Sequence, residues 1–417
     1  MFEKFRERVT RDLSHLSAKA KRTLALGSAS ADALWLSEAA KAAASENKTL
    51  VLIADNASNC LRLKEEIAYF APELSVVYFP DWETLPYDLV SPHQDLVSDR
   101  LEILYRLSQS KETKNRIDVI LLTCTTAAQT IAPVEYLAGR VFFFKSGEEI
   151  NAATLRERLV SAGYEHVSQV AAPGEFSVRG SLIDIYPMGS TAPFRLDLFD
   201  DEIDSIRRFD PDTQRSLGTV DEIRILPGRE FPVDNQSLIN FRAKWRENFT
   251  GDPTKALIYK DLSHGVINAG IEYYLPLFFD KKATFFDYLD PESAIIGLLG
   301  DNEAALTRFT EETEGRYKFL KADPERPVLP PQMLYLRSEG FFVELKRFAR
   351  FQGKVDQAQI PNRLLVDRKA DKPIQNLERF IDEEKVRGNR VLILAPSAGR
   401  RETLAQLFDR NALKLPY

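Results

Sequence analysis

Residues 173–210 read PGEFSVRGSLIDIYPMGSTAPFRLDLFDDEIDSIRRFD, and the punctuation of this stretch decides how the chain folds. Gly174, Gly180, Pro187-Met188-Gly189-Ser190 and Asp200-Asp201 carry turn chemistry and cut it into short apolar runs at 176–178, 182–186, 194–199 and 203–209. Runs of this length between turns predict a small antiparallel sheet. Along 194–199 alternate side chains fall on opposite faces, which puts Phe194, Leu196 and Leu198 inward and Arg195, Asp197 and Phe199 outward. At about 3.3 Å per residue, Arg195 and Phe199 stand roughly 13 Å apart on one surface. An exposed arginine beside an exposed aromatic suits a binding hot spot. Most surface aromatics pack locally, so the pattern alone favours Phe199 tucking under the hairpin turn.

Working outward, the sheet region is flanked by a strand at 141–144, a helix over 153–162 and a closing strand at 220–226, an α+β unit. Before it, residues 48–54, 74–79 and 117–122 are continuous apolar runs of the buried parallel-strand type, two of them leading into helical patterns. That alternation predicts an α/β layer. Past the insert, residues 237–249 repeat at helical spacing with Trp245 as a core residue, and the Pro-Pro run at 328–332 reads as a loop. Residues 351–371 are polar and read as a linker or an edge strand. A buried strand at 390–395 and a helix at 398–409 look like the start of a further small α/β domain. The fold class is therefore α/β multidomain: a parallel-sheet domain carrying a β-rich α+β insert, followed by a small α/β domain.

A chain of 417 residues exceeds what one core supports, so several domains are expected. A net charge of −6 argues against a dedicated nucleic-acid-coating surface. Cys60 and Cys124 lie beside apolar runs and, with four scattered histidines, offer no metal-ligand spacing. Core filling is their expected role. The disulfide-poor composition fits a reducing cytoplasm. Residues 1–22 lack the apolar centre of a signal peptide, and no run approaches the ~20 apolar residues of a membrane span.

The strings GEFSVRGSLIDIYP and PFRLDLFDDEIDSIRRFDPDTQRS closely resemble domain 2 of the nucleotide-excision-repair protein UvrB and of the bacterial transcription-repair coupling factors. DWETLPYDLVSPHQDLVSDRLEIL, residues 81–104, resembles the coupling factors and not UvrB, and residues 270–274 and 285–288 fit both families. The resemblance implies a degenerate helicase-like domain 1 formed by residues 1–140 and 228–345. It further implies a UvrA-binding domain 2 at 141–227 and the beginning of domain 3 at 346–417.

A helicase needs a phosphate cradle, G-x-x-x-x-G-K-[ST], because backbone N–H groups, a lysine and a metal-binding hydroxyl all contact the triphosphate. The counterpart here is residues 27–34, GSASADAL, where Gly27 stands. Asp32 replaces a glycine, Ala33 the lysine and Leu34 the hydroxyl. A carboxylate at 32 would repel a nucleotide. The acidic motif of the family is also missing after residue 295, and Asp301 and Glu303 read as helix capping. The resemblance to UvrB implies a long DNA-clamping hairpin, but residues 79–95 are too few for one. Trp82 and Tyr87 read as packing residues of a short loop. No G-x-S-x-G or H-E-x-x-H occurs.

The resemblance therefore implies the non-catalytic N-terminal module of a transcription-repair coupling factor, with no cofactor of its own and UvrA as partner. Carried over by position, the UvrA contact falls on Arg179, Arg195 and Phe199. Arg179 precedes Gly180, where a bulge would redirect it, so pattern leaves its facing open. ATP and magnesium, RNA polymerase and double-stranded DNA would belong to a C-terminal part, one domain of which masks the UvrA-binding face. Two rivals stand beside this reading: an active UvrB-type helicase, which needs a lysine at 33, and a structural wedge that holds the parent motor at rest.

Overall fold

In chain order the strands are β1 (Arg22–Gly27), β2 (Thr49–Ala54), β3 (Val76–Tyr78), β4 (Val119–Thr123), β5 (Thr130–Ile131), β6 (Phe142–Lys145), β7 (Glu165–His166) and β8 (Glu175–Arg179). They continue with β9 (Leu182–Ile185), β10 (Phe194–Phe199), β11 (Glu202–Phe209), β12 (Ser216–Val220), β13 (Glu222–Ile225), β14 (Ala283–Thr284), β15 (Ala294–Leu299) and β16 (Ala349–Val355). The structure is a computed structural model and describes residues 2–18, 20–27, 30–109, 116–355, 364, 372–395, 397–411 and 413. Residues 1–355 form one compact unit and residues 356–417 a second.

The apolar runs of the first unit assemble a parallel sheet in the order β1-β16-β15-β2-β4-β3. Its central strands β2, β4 and β15 are buried on both faces, which is why they read as unbroken apolar letters. Gly297 in β15 is required by packing, since a Cβ there would meet the Phe351 ring at 2.5 Å and Leu52 Cδ2 at 2.9 Å. The helix Phe2–Ser14, which the sequence reading did not resolve, buries Val9 and Leu13 against Trp35 and Leu36. Cys60 and Cys124 are free and fully buried, and burial pushes both thiols up to about 12. A raised thiol stays protonated, and the thiolate is the nucleophile. Both cysteines are therefore expected to resist iodoacetamide at pH 8 until denaturant unfolds the chain; labelling under native conditions would contradict this packing.

The insert leaves and rejoins this domain through an antiparallel ribbon, with Phe142 opposite Ile225 and Lys145 opposite Glu222. Between the two legs stands a second sheet in the order β12-β11-β10-β9-β8-β7, antiparallel except for β7 with β8. Its inner face buries Phe176, Ile183, Ile185, Leu196, Ile203 and Ile206 together with Leu155 and Leu159 of the helix Ala152–Ser161. The turns fall where the sequence puts them.

The helix Gln94–Ser108 ties the insert to the parallel-sheet domain. Ser98 Oγ accepts from the amide of Gly189 at 2.7 Å, Glu102 pairs with Arg224, and Arg100 meets Glu230 just past the ribbon, Nε to Oε1, at 2.5 Å. Trp82 and Tyr87 are buried packing residues of the 79–93 loop, as expected. Trp82 Nε1 donates to Glu230 Oε2 at 3.1 Å and Tyr87 Oη donates to the carbonyl of Leu329 at 2.8 Å.

Three readings need correction. Residues 349–355 belong to the first unit, with β16 paired on both sides between β1 and β15, so the domain boundary lies at 355/356 and not at 345/346. The strand looked polar because its polar side chains are absorbed by backbone. Arg350 donates to the carbonyls of Ala18 and Leu345, and Gln352 to those of Leu298 and Gly300, while Phe351 and Gly353 supply the buried face. Pro331 opens a short helix, Pro331–Leu334, which proline tolerates at a first-turn position. In the second unit residues 390–395 form no strand; Leu392 and Leu394 are each 80% exposed. A strand needs a hydrogen-bonded neighbour, and the described residues of that unit hold only the helices Gln375–Val386 and Ala398–Arg410 as regular elements of that length. The remainder of the 351–371 reading, residues 356–363 and 365–371, lies outside the described residues.

Candidate protein-binding site on the inserted sheet

The outer face of the β8–β11 sheet is set by register. Ser177 pairs with Asp184, Asp184 with Arg195 and Arg195 with Arg207, one row across four strands. The next row runs Arg179, Leu182, Asp197, Ser205, and Phe199 ends β10 opposite Glu202. Gly180 at φ +63 and Asp200 at φ +54 close the two hairpins, both in the left-handed region that glycine and aspartate occupy most readily.

Asp184 is the centre of the arrangement. Its carboxylate is 1% exposed because two guanidiniums cover it. Arg195 donates from Nε to Oδ1 at 2.7 Å and from Nη2 to Oδ2 at 2.9 Å, a bidentate fork, and Arg179 Nη2 donates to the same Oδ2. The Arg195 guanidinium also lies over the ring of Phe209, 4.9 Å from its centroid. The hydrogen bond to Asp184 raises the Arg195 pKa above its ordinary value, so the group is always charged. Arg179 therefore faces the same side as Arg195, which settles the question that its neighbour Gly180 had left open.

Exposure separates the residues that parity had grouped. Phe199 is 74% exposed and does not tuck under the turn, against the pattern-based preference. The Arg195 side chain is only 20% exposed, less free than a surface reading implies, and that of Arg179 is 49% exposed. The pairing shifts between Asp197 and Leu198, a bulge that sits just before Phe199. Arg207 stands beside Arg195 and approaches Asp197 to 3.8 Å. A chemist would read this surface as a fixed pair of planar cations with an unpaired aromatic four residues along the strand. It suits carboxylates and an apolar socket on another protein. Asp184 was missed at the sequence level; its signal was an acid inside the apolar run Leu182–Ile185, at the parity of the outer face.

The nucleotide-site counterpart lies elsewhere, at the end of β1. Gly27 has φ +95, and a Cβ there would stand 2.9 Å from Ala31 Cβ. Ser28 and Ala29 fall outside the described residues. Asp32 opens the helix Ala31–Ser45 but is not a bare carboxylate: Arg62 of the helix Ala57–Phe70 donates to its Oδ1 at 3.0 Å and its Oδ2 at 2.6 Å. Arg62 also donates to Glu66 and Asn59, and Ser30 donates to Glu66. The bond to Asp32 is the main cause of a raised Arg62 pKa. An ion pair thus stands in the first turn of this helix. Ala33 is fully buried and Leu34 half-buried. Asp301 accepts from the amide of Ala304 as an N-cap, as expected. Among the described residues no cluster of three or more His, Cys, Asp or Glu is placed to hold a metal ion.

Residues 142–231 match the UvrB interaction domain family. The chain is 39% identical over 374 residues to the transcription-repair-coupling factor of Escherichia coli, covering 87% of this chain and 32% of that protein. It is 40% identical over 398 residues to that of Haemophilus influenzae, covering 92% and 33%. Against the Bacillus subtilis protein of the same name the identity is 29% over 264 residues, 60% of this chain and 22% of the relative. The chain spans about a third of the length of the first two of these relatives.

Proposed function

We propose, from the premise that residues 142–231 form a UvrB interaction domain in a chain similar to the transcription-repair-coupling factors, that this protein is a non-catalytic adaptor that recruits UvrA. Recruitment would serve transcription-coupled nucleotide excision repair in the cytoplasm. The observation that carries the reading is the outer face of the inserted sheet, where Arg179 and Arg195 converge on Asp184 and Phe199 stands exposed beyond them. Those three residues are the proposed contact. The guanidiniums take carboxylates on UvrA and the ring takes an apolar socket.

The helicase alternative draws no support from the site at β1. Asp32, at the start of the helix, is paired with Arg62, and the residue at position 33 is a fully buried alanine. We place ATP, magnesium, double-stranded DNA and RNA polymerase with the remaining two thirds of a coupling factor, a translocase that displaces stalled polymerase. A C-terminal domain of that protein would mask the UvrA-binding face.

The test is a titration of UvrA onto the chain, with UvrB as competitor and a fluorescent ATP analogue in a parallel well. Saturable binding that UvrB displaces and rising salt weakens, without nucleotide uptake, is the expected result. Absence of UvrA binding, or stoichiometric nucleotide binding, would overturn the adaptor reading.

A further inference from the structure

Asp184 makes no outward contact of its own, yet it is the point on which both arginines of the proposed contact converge. We propose that Asp184 is the positioning residue of the UvrA-binding face, and that it divides the labour between Arg195, held as a fixed anchor, and Arg179, left as a reaching arm. This rests on the adaptor reading and goes beyond it by assigning how the face is preorganised.

The register explains the convergence. Asp184 lies on β9, the strand between β8 and β10, so a single carboxylate is flanked by a guanidinium from each side. Two arginines that flank the same strand, one on β8 and one on β10, repel each other and, if free, wander over many rotamers. Asp184 offsets the repulsion and fixes the pair before a partner arrives, removing an ordering cost that binding would otherwise bear. The cluster keeps one net positive charge, so it still attracts an acid.

The holds are unequal. Arg195 has both bonds of a bidentate fork, lies over the Phe209 ring and is 20% exposed. Arg179 shares one oxygen and is 49% exposed. An incoming carboxylate can therefore draw Arg179 away while Arg195 stays in register with Phe199. Phe209, fully buried beneath Arg195, is the platform.

Positioning and plain electrostatics predict opposite signs for one substitution. Asp184→Asn keeps the size of the side chain and removes a negative charge from the face. If charge alone mattered, an acidic partner would bind more tightly. If Asp184 acts by holding the arginines, binding weakens despite the added positive charge.

The experiment measures UvrA affinity and dissociation rate for the 417-residue chain, its Asp184→Asn and Arg195→Ala variants and the double variant, each first checked for a native thermal transition. The expected result is at least tenfold weaker binding for Asp184→Asn, mostly in the dissociation rate, with less than a twofold further effect of Asp184→Asn when Arg195 is already alanine. Phe209→Leu, which removes the platform and leaves the carboxylate, should weaken binding two- to fivefold and serves if Asp184→Asn fails to fold. Unchanged or tighter binding by Asp184→Asn, full additivity with Arg195→Ala, or in the fallback an unaffected Phe209→Leu, overturns the positioning role. If the parent chain itself does not bind UvrA, it is the adaptor reading that fails instead; if Arg195→Ala combined with Phe199→Ala binds UvrA like the parent, the assignment of this face as the contact fails, and the positioning role with it.

Discussion

Replacing Glu230 by alanine is expected to destabilise the first unit by about 3–5 kcal/mol, the range for removing one partner of a buried ion pair. Arg100 is 0% exposed and Glu230 3% exposed, and they meet through Nε to Oε1 at 2.5 Å and Nη2 to Oε2 at 3.3 Å. Arg100 Nη1 donates to the carbonyl of Pro80 at 2.8 Å, and its guanidinium sits 4.6 Å from the Phe79 ring centroid and 5.4 Å from that of Trp82. Without Glu230 the cation keeps its aromatic walls and one carbonyl but loses its counter-charge, and Trp82 Nε1 loses its acceptor. A buried cation in that state is costly because no water replaces the carboxylate. The exposed Lys145–Glu222 pair on the ribbon is the internal contrast, since Glu222→Ala there should change stability by less than about 1 kcal/mol. Urea unfolding followed by tryptophan fluorescence checks both. A double substitution, Arg100→Met with Glu230→Leu, should recover most of the loss, because an apolar pair leaves nothing unsatisfied. A cost near 1 kcal/mol for Glu230→Ala would mean that the insert is not anchored through this pair.

Period-two alternation made the inserted sheet legible from its letters. The inward set Phe194, Leu196 and Leu198 is buried and Phe199 exposed, as parity requires. Whether Phe199 tucked under its turn was not legible, because that depends on what covers the turn and not on the strand itself. Asp184 was illegible for a related reason: its cover comes from arginines on two other strands. Position 32 was read as a bare carboxylate that would repel a nucleotide. Its partner Arg62, thirty residues on, was not legible, and the structure shows the two as an ion pair.

The long-range failures share one cause. β16 has only one large buried apolar side chain, Phe351, so no apolar run announces it, yet it pairs on both sides. Residues 390–395 have the run and no hydrogen-bonded strand neighbour among the described residues. Strand identity is a property of the pairing, and local letters report it only when burial on both faces forces them to be apolar.

The second large effect concerns the binding face. Removing Arg195 and Phe199 together takes away the anchored cation and the exposed ring, leaving Arg179 paired with a buried carboxylate. Hot-spot truncations of this kind cost about 2 kcal/mol or more each, so the pair should weaken UvrA binding by roughly 4 kcal/mol, near a thousandfold. Phe199 has few contacts to lose, whereas losing Arg195 takes the bidentate fork from the buried Asp184 and carries a stability cost of its own, so the variant's native transition is verified before the titration. The face-as-wedge alternative predicts unchanged affinity. The measurement that decides between them is an equilibrium titration of UvrA onto the chain and onto its Arg195→Ala, Phe199→Ala variant under identical salt. A complex that forms with the parent chain and is lost in a folded variant is the predicted result; equal affinity for the two would contradict the assignment of this face as the UvrA contact.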